Sequence, residues 1–97
     1  DTSVAYADKW YRKKFAGYLN DQQFMTNTIL ISTFDESGLR LKNQIYTSIV
    51  GPDVKPGTYS ETLNLYSLLR LVEDNWNLGN LGREDATAPS IPEKIWR

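Results

Sequence analysis

Ninety-seven residues set an upper limit of one small domain, and a composition of 40% hydrophobic, 12% aromatic and 24% charged residues is that of a globular protein. Eleven Lys and Arg against twelve Asp and Glu, interspersed, give a net charge of -1, which argues against the basic face that nucleic acid or an anionic membrane requires. The chain has no Cys and no His, so disulfides, thiolate nucleophiles, Ser-His-Asp triads and nitrogen- or sulfur-ligated zinc are all excluded.

What is left for an ionic site is oxygen. Carboxylates and carbonyls suit Mg²⁺, Ca²⁺ or Mn²⁺. No apolar run approaches the roughly 20 residues of a membrane-spanning helix.

The chain opens with Asp1-Thr2-Ser3, three good helix N-caps. Val4, Ala7, Trp10, Tyr11, Phe15, Tyr18 and Leu19 then recur at spacings of three and four, which predicts an amphipathic helix with one face turned to a core. Arg12-Lys13-Lys14 lies off that face and reads as solvated surface. Asn20-Asp21 ends the helix and caps a short turn, from which Phe24 and Met25 are expected to fill gaps over a sheet.

The run Thr28 to Phe34 is rich in β-branched and aromatic residues and predicts a buried strand. It stops at Asp35-Glu36, followed by the turn signal Ser37-Gly38. In open α/β sheets, ligands and metals sit beyond the carboxyl ends of strands, so Asp35 and Glu36 are the candidate metal ligands. A helix, a short turn and then a strand form the second half of a βαβ unit, whose first strand is expected before residue 1.

A second strand is predicted from Gln44 to Val50, with neither face strongly polar, as in a strand covered on both sides. Gly51-Pro52-Asp53 and Lys55-Pro56-Gly57 then mark an exposed loop. A second helix is expected to start at Ser60, Thr62 or Asn64. Leu65, Leu68, Leu69, Val72 and Trp76 form its core-facing stripe, and Arg70 and Asp74 form an i,i+4 pair. From Leu78 onward the glycines and prolines predict loop, with Arg83-Glu84-Asp85 as a charged kink and Trp96 in need of a surface to dock on. Two strands that look covered on both faces, with only two helices to cover them, point to a larger sheet.

Five ordered blocks carry a resemblance: Asp1 to Ala5, Asn27 to Glu36, Ile49 to Pro52, Tyr66 to Leu78 and Leu81 to Ala86. Together they resemble the C-terminal third of the phosphoesterase family that holds secreted fungal acid phosphatases and phospholipase C-type enzymes. The resemblance implies an α/β fold: residues 1–97 as a single segment, the C-terminal part of an alkaline-phosphatase-like sandwich. It also implies a divalent metal held in part by Asp35 and Glu36, a phosphoester small molecule or phospholipid as substrate, and a secreted enzyme.

The departures are as specific. Relatives carry His just before the position of Asp1, at the position of Leu65, and, in phospholipase-type members, at that of Ser37. The nucleophile and the first metal ligands belong to the family's N-terminal part. Ser37, Ser67 and Thr33 are hydroxyls without a base to activate them. Two function classes follow: part of a metal-dependent phosphoester hydrolase, or a catalytically inactive phosphatase-derived module that binds a partner or self-associates.

Overall fold

The computed structural model describes residues 3–39 and 42–97. The chain divides into two compact units, Asp1–Val54 and Lys55–Arg97. Asp1 and Thr2, two of the three expected caps, lie outside the described residues.

In the first unit, α1 spans Val4–Leu19 and is capped by Ser3, whose side chain accepts the Tyr6 N–H at 3.1 Å. Asn20 closes it by donating its N–H to the Ala16 carbonyl, and Asp21 then caps the single turn α2, Gln22–Met25, by accepting the Phe24 N–H at 3.1 Å. Two strands follow, β1 (Leu30–Thr33) and β2 (Thr47–Val50), each shorter than its apolar run. They pair antiparallel, with Leu30 opposite Val50 and Thr33 opposite Thr47.

The Tyr11 hydroxyl meets the Ser32 hydroxyl at 2.7 Å and ties α1 to β1. Gly51 ends β2 where a Cβ would lie 2.7 Å from the Thr28 carbonyl oxygen, so only glycine fits there without displacing backbone.

The expected burial in this unit is not realised. No residue of α1 is buried, and Trp10 and Tyr18 are about half exposed. Phe24 does not fill a gap over the sheet: it is exposed and instead lies tilted against Tyr18, ring centroids 4.8 Å apart. β1 and β2 are half-covered rather than buried on both faces. Periodicity specifies which face an element offers to a partner, and the described residues of this unit supply no partner layer.

In the second unit, Asn64 is the N-cap of α3 (Leu65–Asn75). Its side chain accepts the Ser67 N–H at 3.1 Å while the Ser67 hydroxyl accepts the Asn64 N–H at 3.2 Å, a reciprocal capping box. At the other end Asn77 takes a left-handed conformation, φ 53°. The Leu78 N–H returns to the Glu73 carbonyl and the Asn77 N–H to that of Asp74, the Schellman arrangement that stops a helix.

The tail predicted as loop contains α4 (Glu84–Thr87) and a 3-10 turn (Glu93–Ile95). It also holds the buried apolar side chains among the described residues: Ala88, Ile91 and Ile95. The expected stripe of α3 is not core. Leu65, Leu69, Val72 and Trp76 are exposed, and α3 buries Ser67 and Glu73 instead. The tail folds back through hydrogen bonds from Lys55 N–H to the Ile95 carbonyl (2.7 Å) and from the Arg70 guanidinium to the Ala88 carbonyl.

The α/β class holds: helices combine with a two-stranded antiparallel sheet.

Candidate functional site

Asp35 and Glu36 follow β1 at the end of its apolar run, with Phe34 between. Beyond Thr33 the ladder continues one step, the Phe34 N–H donating to the Tyr46 carbonyl at 3.2 Å, and Asp35 is the next residue. The Asp35 carboxylate accepts the Glu36 N–H at 2.9 Å, and across the connection Asn43 accepts the Ser37 N–H at 3.0 Å. Asn43 does so from a left-handed backbone, φ 50°, so the loop is pinched just past the acidic pair.

Both acids are exposed. They do not sit beside a closed interior, because the unit around them buries no described residue. As donors they are hard carboxylate oxygens, the chemistry Mg²⁺, Ca²⁺ or Mn²⁺ accepts. Among the described residues, no group of three or more Asp, Glu, His or Cys is placed to hold a metal. A complete octahedral or larger shell therefore needs oxygens from water, substrate or other chain segments.

The hydroxyls weighed as nucleophiles are otherwise engaged. Ser67 is fully buried in the capping box, and Thr33 meets Thr47 across the sheet at 2.8 Å. The Ser37 hydroxyl donates to the Gly38 carbonyl at 3.2 Å.

A second polar site lies in the C-terminal unit, and sequence reasoning missed it. A cavity of ≈ 220 Å³ is lined by Arg70, Glu73, Asp74, Asn77, Asn80 and Asp85, among others. Glu73 and Asp85 are buried, 6% and 2% exposed. The Asp85 carboxylate accepts the Leu81 N–H at 2.6 Å through one oxygen and the Arg83 N–H at 3.1 Å through the other. Those bonds hold Asp85 below the ordinary aspartate range, the Leu81 bond most strongly and against the effect of burial.

Glu73 is displaced the other way. Burial pushes it up, and the hydrogen bond to Asp85 and the charges of Asp85 and Asp74 add to the rise, while Arg70 opposes it. Three carboxyl groups against one guanidinium make the cavity a poor receptor for a phosphate dianion. Arg70 does pair with Asp74, at 3.4 Å, as its i,i+4 spacing predicts.

The phosphoesterase family profile matches residues 1–79. The chain belongs to the phosphoesterase family. It is 39% identical over 93 residues to an acid phosphatase of Aspergillus fumigatus, which covers 91% of this chain and 21% of that protein. A probable acid phosphatase of Kluyveromyces lactis is 38% identical, over 91% of this chain and 22% of the relative. A phosphatidylinositol-3-phosphatase of Mycobacterium tuberculosis is 35% identical over 96 residues, 99% of this chain and 31% of the relative. The chain thus spans between a fifth and a third of the length of these relatives. No solved structure matches. Among the described residues no helix is long and apolar enough to cross a membrane.

Proposed function

We propose that this phosphoesterase-family chain is the C-terminal part of a secreted, metal-dependent phosphoester hydrolase of the acid phosphatase type. Residues 1–97 are one segment of its larger α/β domain, an alkaline-phosphatase-like sandwich. The observation that carries the reading is the Asp35-Glu36 pair at the end of β1, in a chain whose relatives are named phosphatases.

The chain's share of the mechanism is to place two carboxylates. Pairing from Thr33 through Phe34 fixes the backbone up to Asp35, and the Asn43 bond to Ser37 restrains the loop beyond. Asp35 and Glu36 hold the divalent ion with their carboxylate oxygens. When bound, such an ion supplies Lewis-acid stabilisation of the charge that develops on phosphoryl oxygens. The nucleophile and remaining ligands come from other segments of the enzyme. The substrate is a phosphoester small molecule or a phospholipid.

The test is hydrolysis of an aryl phosphate by the intact protein in the presence of divalent metal. Asp35→Asn and Glu36→Gln are each expected to lower kcat/KM by more than the roughly 10–100-fold that follows loss of an outer-shell metal partner. Metal affinity measured by calorimetry falls in parallel. Unchanged kcat/KM in both variants would remove the pair from the site.

The exposed aromatic face of α1 favours a second reading, a catalytically inactive module that binds a partner or a second copy of itself. Absence of hydrolysis together with concentration-dependent sedimentation would decide for it.

A further inference from the structure

We propose that Glu73 and Asp85 share a single proton, and that this proton makes the corner between α3 and α4 a clamp that tightens in weak acid and loosens as pH rises. The inference concerns folding and is read without substrate, so it stands or falls apart from the hydrolase reading.

The geometry carries it. Both oxygens of Asp85 are taken up by backbone N–H groups, which fixes Asp85 as the charged member of the pair. Glu73 Oε2 is sealed from solvent and has no N–H or hydroxyl donor among the described residues. Glu73 and Asp85 are both buried and line the same cavity, and two buried carboxyl groups facing one space are accommodated by one proton between them. Glu73 therefore carries it and donates to Asp85.

The charged neighbours do not substitute for that proton. On α3, Arg70 is engaged by the Ala88 carbonyl and Asp74, and Asp74 adds negative charge. In the turn and on α4, the Arg83 and Glu84 side chains are exposed.

The clamp holds three things at once. Glu73 also gives its carbonyl to the Leu78 N–H that stops α3. Asp85 gathers the turn through Leu81 and Arg83, inside which the Gly82 N–H donates to the Asn80 side chain at 2.8 Å. Loss of the proton places two anions in a buried contact and pushes α4 away from α3.

The sign follows from linkage. Glu73 is raised in the folded protein, so its contribution is complete below the ordinary carboxyl range of about 4 and is lost as pH rises through the folded value. Asp85 is lowered, so its contribution is complete above that range and is lost as pH falls through its folded value. Stability from this corner is greatest in weak acid.

Two measurements test the proposal. In the wild-type protein, the Glu73 side-chain carboxyl carbon followed by ¹³C NMR is expected to titrate clearly above the exposed glutamates, with Asp85 below the exposed aspartates. The contribution of Glu73 to thermal stability is expected to fall as pH rises above the ordinary carboxyl range of about 4, lowering the unfolding midpoint. Glu73→Gln, whose amide donates to Asp85 without needing a proton, is expected to flatten that slope. A Glu73 carbon that titrates with the exposed glutamates overturns the proposal, whether or not the variant folds. So does a Glu73→Gln protein that keeps the wild-type slope, or a slope abolished by Ca²⁺, since a cation would then bridge the carboxylates.

Discussion

The two units use opposite means of holding together. Residues 3–54 contain the longest helix, with Trp10, Tyr11 and Phe15 in ring contact along it, and the sheet, tied to that helix by the Tyr11–Ser32 hydroxyl contact, yet none of their described side chains is buried. Residues 55–97 contain one helix of eleven residues and two single turns, and they bury Ser67, Glu73, Asp85, Ala88, Ile91 and Ile95. Burial here follows from a chain that turns back on itself with specific polar anchors. An amphipathic face alone does not produce it. The first unit leaves its apolar faces exposed; the second makes its own interior.

That contrast is most directly broken by truncation. Ile95 is 4% exposed, and Ile95→Ala is expected to cost about 2–5 kcal/mol, the range for removing a buried aliphatic side chain. Trp10 is far larger but 49% exposed, so Trp10→Ala is expected to cost about 2 kcal/mol, at or below the low end of that range. Chemical denaturation of both variants measures the difference. If Trp10→Ala costs as much as Ile95→Ala in the intact protein, another surface covers α1 there and the contrast fails.

A second prediction concerns the one tight spot in the open unit. Gly51→Ala would bring a methyl to 2.7 Å from the Thr28 carbonyl, and backbone cannot yield as a side-chain tip can. A loss of about 1–3 kcal/mol is expected, typical of overpacking. Amide hydrogen exchange should show the loss in β1 and β2 first. A neutral Gly51→Ala would mean the β1–β2 junction is as loose as its surface.

The same contrast explains what could be read in advance. Local signals were legible: Ser3 among three candidate caps, the Asn20-Asp21 break, the β1 run ending at Asp35-Glu36, Asn64 among three candidate starts of α3 and the Arg70–Asp74 pair all follow from short-range chemistry. The place of Asp35 and Glu36 just past a strand was legible as well, since they are adjacent in sequence and end an apolar run. The Glu73–Asp85 pair was not, because it joins residues twelve apart across a Schellman turn and both read as ordinary surface acids. One signal was available: Asn77, Gly79 and Gly82, all left-handed, lie between two acids and imply a chain that doubles back sharply. The burial of Ile91 and Ile95 depends on that reversal, which is why a tail rich in proline and glycine read as loop.

The α3 cap gives a smaller effect. Asn64→Ala removes one half of the reciprocal box, and about 1 kcal/mol of stability is expected to go with it. Asn64→Asp should retain most of it. Ser67→Ala is expected to be worse than a surface Ser→Ala, because Ser67 is fully buried and its loss strands the Asn64 N–H.

The smallest effect, and the one that best sharpens the comparison, is at the rim of the C-terminal unit. Lys94 on the 3-10 turn pairs with Glu61 on the extended segment before α3, and its ammonium also sits 5.8 Å from the centre of the Tyr59 ring. The Lys94 hydrogen bond holds Glu61 below the ordinary glutamate range. A lowered carboxyl contributes stability above its ordinary value and loses it as pH falls through the folded value, the reverse of Glu73. The side chains are partly exposed, so salt screens the pair. Lys94→Ala is therefore expected to lower the unfolding midpoint slightly at neutral pH and low salt, with the difference from wild type vanishing in high salt or in strong acid. A loss that survives high salt would mean that Lys94 acts through its stem packed on Tyr59, not through its charge.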